Sequence, residues 1–166
     1  MSTIDNLQEA FAGESQANRK YLFFAEKAEE SGNRQLARLF RAAAEAETVH
    51  ARSHLKVMNG INSDEENLRT AVSGEKHEFD SMYPGFIEQA VAEKNKAAER
   101  TFRYANEVEK IHHGLFERAL EDLIAGKKAA DAPFHVCPVC GNTWEGETPD
   151  TCPICGVPKD KFKKIY

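Results

Sequence analysis

Glu47 and His50, and again Glu109 and His112, form two Glu-x-x-His motifs, each preceded by a Gly-Glu pair, Gly13-Glu14 and Gly74-Glu75. The upstream glutamate precedes the motif glutamate by 33 residues in one copy and 34 in the other. A carboxylate and an imidazole three residues apart project from one face of a helix, where they can grip one metal ion together. Two such pairs, each with a partner glutamate one helix earlier, describe two metals side by side in a helical bundle. Each ion would take one imidazole, with Glu47 and Glu109 placed to bridge and Glu14 and Glu75 terminal. Glu78 breaks the symmetry: it follows Glu75 by three residues, where the first copy has Ala17, and offers a further ligand on one side only. Hard carboxylates with two imidazoles suit iron or manganese better than copper and leave positions open to a small oxidant. Tyr21 and Tyr83 return to the same face, either as core aromatics or as hydroxyl donors to ligating carboxylates. His54 is expected to be partly exposed, and His77 and His113 to point away from the ligand face into solvent.

A second metal site is written at the other end. Cys137-Pro138-Val139-Cys140-Gly141 and Cys152-Pro153-Ile154-Cys155-Gly156 are matching knuckles that together present four thiolates, a tetrahedral sulfur site. Spacing alone leaves zinc and a single iron open. A redox-capable two-metal site on the same chain favours iron. Trp144, Phe162 and Tyr166 are the expected small core of this module, which depends on its metal for order.

The elements that must position these residues follow from apolar spacing and breaks. Leu7, Phe11, Leu22, Ala25 and Ala28 mark a helix from about Ile4 to Glu30, ended by Ser31-Gly32-Asn33. Leu36, Leu39, Phe40, Ala43, Val49 and Leu55 mark a second from Arg34 to about Met58, ended by Asn59-Gly60. A third, capped by Ser63 or Asp64, continues to about Glu93, with a kink expected at Pro84. A fourth spans about Asn95 to Ile124. The expected domains are a four-helix bundle over 1–126, a linker over 127–133 and a four-cysteine domain over 134–166. The halves of the bundle repeat at offsets of 61 residues for Glu14/Glu75 and 62 for the Glu-x-x-His motifs, a difference that a length change in an intervening turn would explain.

Composition removes several classes of function. The net charge is −5 with acidic residues spread along the chain, so there is no basic footprint for nucleic acid. No segment approaches membrane-spanning length, and the stretch from Met1 to Phe11 lacks the basic and apolar regions of a secretion signal. Cysteines confined to two Cys-x-x-Cys pairs read as a metal site in a reducing, cytoplasmic setting.

Taken together, the chain resembles the rubrerythrin family over essentially its whole length. The resemblance rests on Ala12-Gly13-Glu14-Ser15-Gln16-Ala17, Glu47-x-x-His50, Gly74-Glu75-x-x-Glu78 followed by Met82-Tyr83-Pro84, Glu109-x-x-His112 and the two knuckles. It implies an all-α, ferritin-like four-helix bundle carrying two irons, the ligand pattern described for such di-iron and di-manganese carboxylate proteins, fused to a rubredoxin-like domain. The residues it marks as iron ligands are Glu14, Glu47, Glu75, Glu78, Glu109 and His112, with His50 exchanging for Glu78 as one iron changes oxidation state. Tyr21 and Tyr83 match tyrosines that hydrogen-bond these ligands. Cys137, Cys140, Cys152 and Cys155 would hold one more iron, or zinc.

The implied activity is reduction of hydrogen peroxide to water in oxidative-stress defence, with Glu78, His50, Tyr21 and Tyr83 at the reacting centre. Electrons would come from rubredoxin or an NAD(P)H-dependent reductase. The alternatives are a ferroxidase or iron-storage protein of the ferritin class and a non-catalytic zinc-ribbon adaptor. Finally, the second and third helices of a ferritin-like bundle run parallel, and Asn59 to Ser63 is too short to connect them within one bundle. The expected assembly is therefore a domain-swapped homodimer.

Overall fold

The computed structural model describes residues 2–129 and 131–166. Two compact units divide the chain, one ending at Asn62 and the other beginning at Ser63.

The first unit is a helical hairpin. Helix α1 (Thr3–Glu30) opens on a capping box in which Ser2 Oγ accepts from the Asp5 N–H and the Asp5 carboxylate accepts from the Ser2 N–H. Helix α2 (Arg34–Val57) packs back along it. Ala25, Ala28, Ala37 and Ala44 are the buried residues of the seam, and their small side chains let the backbones approach closely. Asn18 ties the helices together by donating to the Ala44 carbonyl at 2.7 Å and to Thr48 Oγ1 at 2.9 Å. Leu39 and Val49 face away from this seam and stay 62% and 57% exposed.

The second unit begins with α3 (Asp64–His77), capped reciprocally by Ser63 and Glu66. A π-helical turn (Glu78–Met82) leads into α4 (Tyr83–Ala92), and α5 (Lys96–Ile124) returns against all three. The bent α3–π–α4 segment counts as one long helix, so the chain has the four long helices its periodicity predicts. The expected kink at Pro84 is this π turn. Pro84 has no N–H and its ring crowds the carbonyl one turn back; the Tyr83 N–H instead bonds the Glu78 carbonyl, five residues earlier.

That turn also corrects the account of the repeat. Tyr21, Phe24 and Phe40 form a ring cluster with centroids 5.5–6.4 Å apart. Tyr83, Phe86 and Phe102 form the same cluster at 5.6–6.3 Å. All three pairs are offset by 62 residues, whereas Glu14 and Glu75 are offset by 61. The additional residue therefore lies inside the helix, between Glu75 and Tyr83, and not in a connecting turn. A π turn is how a helix absorbs one residue without losing register on either side.

After α5 the chain forms a three-stranded antiparallel sheet of order β2-β1-β3: β1 (Phe134–Val136), β2 (Thr143–Glu145) and β3 (Lys163–Ile165). His135 pairs with Trp144 on one side and Lys164 on the other. Trp144 stacks on Phe162 with centroids 4.5 Å apart, as expected of a small core. Tyr166 does not join them: the last residue lies beyond β3, is fully exposed, and receives the Lys164 ammonium over its ring. His113 also departs from expectation. Its side chain is only 15% exposed, pairs with Glu117, and meets the Phe79 ring edge-on at 5.4 Å. Among the described residues no helix is long and apolar enough to cross a membrane.

Candidate metal centres

Each helical unit assembles one triad. In the first, His50 Nδ1 lies 3.0 Å from Glu47 Oε2, one turn earlier on α2, and 3.9 Å from Glu14 Oε1 on α1. In the second, His112 Nδ1 lies 2.7 Å from Glu109 Oε2 on α5 and 3.8 Å from Glu75 Oε1 on α3. One potential ligand atom from each residue of a triad falls within 4.8 Å of the other two. Two carboxylates and an imidazole converging in this way is an arrangement a cation would relieve.

The charges make the same point. Burial, then the Glu109 carboxylate, pushes Glu75 up to about 7, against the opposing pull of His112. Glu78 is raised too, first by burial and then by Glu109. The Glu109 hydrogen bond raises His112, outweighing its burial. Glu78 stands outside the three-atom cluster yet interacts electrostatically with Glu75, Glu109 and His112. The Tyr83 hydroxyl is raised by burial and then by Glu109, Glu78 and Glu75, so it stands in the field of three carboxylates. Tyr21 is held by its aromatic cluster, and among the described residues its hydroxyl makes no hydrogen bond to Glu14 or Glu47. His54 is half-buried one turn past His50, and His77 is exposed.

The four cysteines converge in the terminal module. Cys137 Sγ and Cys155 Sγ are 3.5 Å apart, as are Cys140 Sγ and Cys152 Sγ. Tetrahedral bonds of about 2.3 Å imply sulfur–sulfur edges of about 3.8 Å, so the sulfurs already sit near the corners a metal would need. Each knuckle closes on a glycine with a left-handed backbone, Gly141 at φ 85° and Gly156 at φ 77°, whose N–H returns to the first cysteine's carbonyl. Burial pushes the Cys152 thiol up, but the N–H groups of Cys155 and Ile154 and the neighbouring thiols bring it down to about 7.

Sequence reading passed over two residues beside this site. Asn142 is buried, accepts the Cys137 N–H at 2.8 Å, and directs its side-chain amide at Cys152 Sγ from 3.9 Å. Thr143 opens β2. Both follow the first knuckle directly, and that adjacency was the only signal available.

Two carboxylate–histidine triads on long helical hairpins, with a four-thiolate module on the same chain, define a ferritin-like di-iron carboxylate protein with a rubredoxin-like domain. The rubrerythrin family model matches residues 5–120, and the model for the rubredoxin-like domain of rubrerythrin matches residues 135–163. The chain belongs to the rubrerythrin family. It is similar to Rubrerythrin-2 of Clostridium acetobutylicum, with 41% identity over 97% of this chain and 95% of that protein. It is also similar to nigerythrin of Nitratidesulfovibrio vulgaris, with 37% identity over 97% of this chain and 85% of that one. A solved structure of nigerythrin in a mixed-valence state covers 99% of this chain and 87% of its own, with a TM-score of 0.59 and 37% identity. Donors for two irons in a carboxylate–histidine site and for one in a four-cysteine site are all present.

Proposed function

We propose that this chain is a non-haem di-iron peroxidase that reduces hydrogen peroxide to two waters, consuming two electrons and two protons. The observation that carries the reading is the presence, on one chain, of two Glu/Glu/His triads and a four-thiolate site. A pair of ferrous ions would supply the two electrons, and an iron on Cys137, Cys140, Cys152 and Cys155 would pass replacements one at a time from rubredoxin or an NAD(P)H-dependent reductase. Glu14, Glu47, Glu75, Glu109, His50 and His112 would hold the ion pair. Glu78, without a counterpart at Ala17, would exchange with His50 on one ion, a carboxylate for the more charged state and an imidazole for the less. Tyr83, among Glu75, Glu78 and Glu109, would hold a hydroxyl proton at the carboxylate edge, with Tyr21 in the equivalent place. The setting is a reducing cytoplasm.

The same reading favours a domain-swapped homodimer. Parallel second and third helices would require a link between Val57 and Asp64 covering the helix from His50 to Val57 and that from Asp64 to Glu75, about 27 Å in all. Across seven Cα–Cα steps, the six residues from Met58 to Ser63 reach at most about 25 Å at full extension. Three of them are already committed to closing α2, with the Met58 N–H on the His54 carbonyl, Asn59 left-handed, and the Gly60 N–H on the Leu55 carbonyl at 2.9 Å. A structure in which one bundle takes all four helices from one chain would overturn this assembly.

Anaerobic reduction of the full chain followed by one equivalent of peroxide tests the activity. The expected result is rapid loss of the peroxide and reoxidation of the cysteine-site iron. A cysteine site that stays reduced while peroxide persists would reject the reading. Rapid mineralisation of added iron would favour storage, and zinc at the cysteines with no metal on the triads would favour an adaptor.

A further inference from the structure

His112 is held from both sides. Its Nδ1 faces Glu109 and Glu75, while its Nε2 lies 3.0 Å from Thr143 Oγ1, on the first residue of β2. The Thr143 hydroxyl has a single hydrogen, and it is directed to the Gly141 carbonyl at 3.0 Å. With that hydrogen on the Gly141 carbonyl, the oxygen accepts from His112, which places a proton on Nε2. The contact belongs to a wider seat: Val108 of α5, one turn before His112, is buried, and its methyl lies 3.8 Å from the position a Cβ on Gly141 would take.

We propose that Thr143 is a positioning residue for the Glu75/Glu109/His112 triad. Its hydroxyl fixes the imidazole as the Nε2–H tautomer, so that the Nδ1 lone pair is presented to a metal ion between Glu109 and Glu75. A histidine ligand bonded behind in this way is oriented and made more basic. The first triad shows no equivalent among the described residues. Among the described residues His50 Nε2 has no hydrogen-bond partner, and its side chain is 55% exposed against 28% for His112. Within the chain the two histidines are thereby unequal: His112 is tied at its back to the cysteine module, and His50 has no such tie among the described residues. This deepens the peroxidase reading by giving a reason why His50, and not His112, would be the exchanging ligand.

The experiment uses the full chain with zinc on its carboxylate–histidine sites, so it needs neither peroxide nor turnover and can fail independently of the peroxidase reading. Thr143→Val keeps the shape and removes the acceptor; Thr143→Ser keeps the acceptor. Competitive zinc titration should show one ion bound about 10- to 100-fold more weakly in Thr143→Val, with Thr143→Ser restoring it. Long-range 1H–15N correlations on His112 should show the Nε2–H, Nδ1-metal form in the parent and Thr143→Ser, and a mixture in Thr143→Val. The visible band of the iron-loaded cysteine site reports whether the module is intact; if Thr143→Val loses it, Thr143→Ala carries the comparison with Thr143→Ser. Parent-like zinc affinity and unchanged His112 nitrogen shifts in an intact hydroxyl-free variant would overturn the proposal.

Discussion

Glu75 and Tyr83 stand eight residues apart and Glu14 and Tyr21 seven, yet both tyrosines head equivalent aromatic clusters. In an unbroken α-helix a step of seven returns to within about 20° of its start, and a step of eight overshoots by about 80°. The π turn at Glu78–Met82 removes that overshoot. It brings Tyr83 back to the carboxylates while placing Glu78 at its own first residue, where the first half of the chain has only alanine.

Deleting Ser81, an exposed residue inside the turn, should restore the seven-residue spacing and let α-helix run through. Helicity by circular dichroism should hold. Peroxide consumption should fall by as much as about 100-fold, because small displacements of reacting groups are costly. Parent activity in a helical deletion variant would mean that the π turn is tolerated and not used.

Removing Glu78 while leaving both triads intact separates holding the ions from reacting with peroxide. Glu78→Gln should still bind two irons per chain in the carboxylate–histidine sites, since three donors remain at each. Its peroxidase turnover should drop about 10- to 100-fold. Loss of an ion in place of loss of turnover would make Glu78 an obligatory ligand.

Stripping the metals should leave a protein whose stability falls with pH in a defined window. Glu75 is raised to about 7 from an ordinary 4.5, so between those values the folded state holds a proton that the unfolded chain has released. Raised His112 acts in the same direction, keeping its proton as pH climbs past its ordinary 6.5. In both cases the folded state binds more protons, so stability declines as pH rises. Urea unfolding of the metal-free chain from pH 4.5 to 7.5 should show that decline, and adding a divalent metal should cancel it. A metal-free chain that gains stability over this range would contradict the charge arrangement.

Much of this was legible in the residues. Helix ends fell where Ser31-Gly32-Asn33, Asn59-Gly60 and Ser63 placed them, because breaks and caps act locally. The triads were legible because a spacing of three on a helix fixes a shared face. What escaped notice depends on contacts that no local pattern encodes. Pro84 announced a bend, but only the matched rings of Phe24/Phe86 and Phe40/Phe102 show that the additional residue is absorbed before it. His113 was expected in solvent because its own helix turns it from the ligands, yet Phe79, from another element, covers it. Thr143 is 31 residues from His112 and looks like any strand threonine until the fold brings them together.

Cys152→Ser tests whether the terminal module depends on its metal and whether the bundle depends on the module. Some thirty residues with three three-residue strands and one stacked ring pair bury too little to stay folded without a tetrahedral ion. Trp144 is the chain's one tryptophan, so its fluorescence reports this module alone. In Cys152→Ser the visible band of the iron site should be lost and Trp144 emission should shift to the red as the Phe162 stack opens. The far-UV signal should persist, because α1, α2, α3, α4 and α5 do not need the sulfur site to form. Chemically pre-reduced protein should still consume a single charge of peroxide, whereas sustained turnover from a reductase should collapse. Sustained turnover at the parent rate would place electron entry at the bundle itself and remove the module from the circuit.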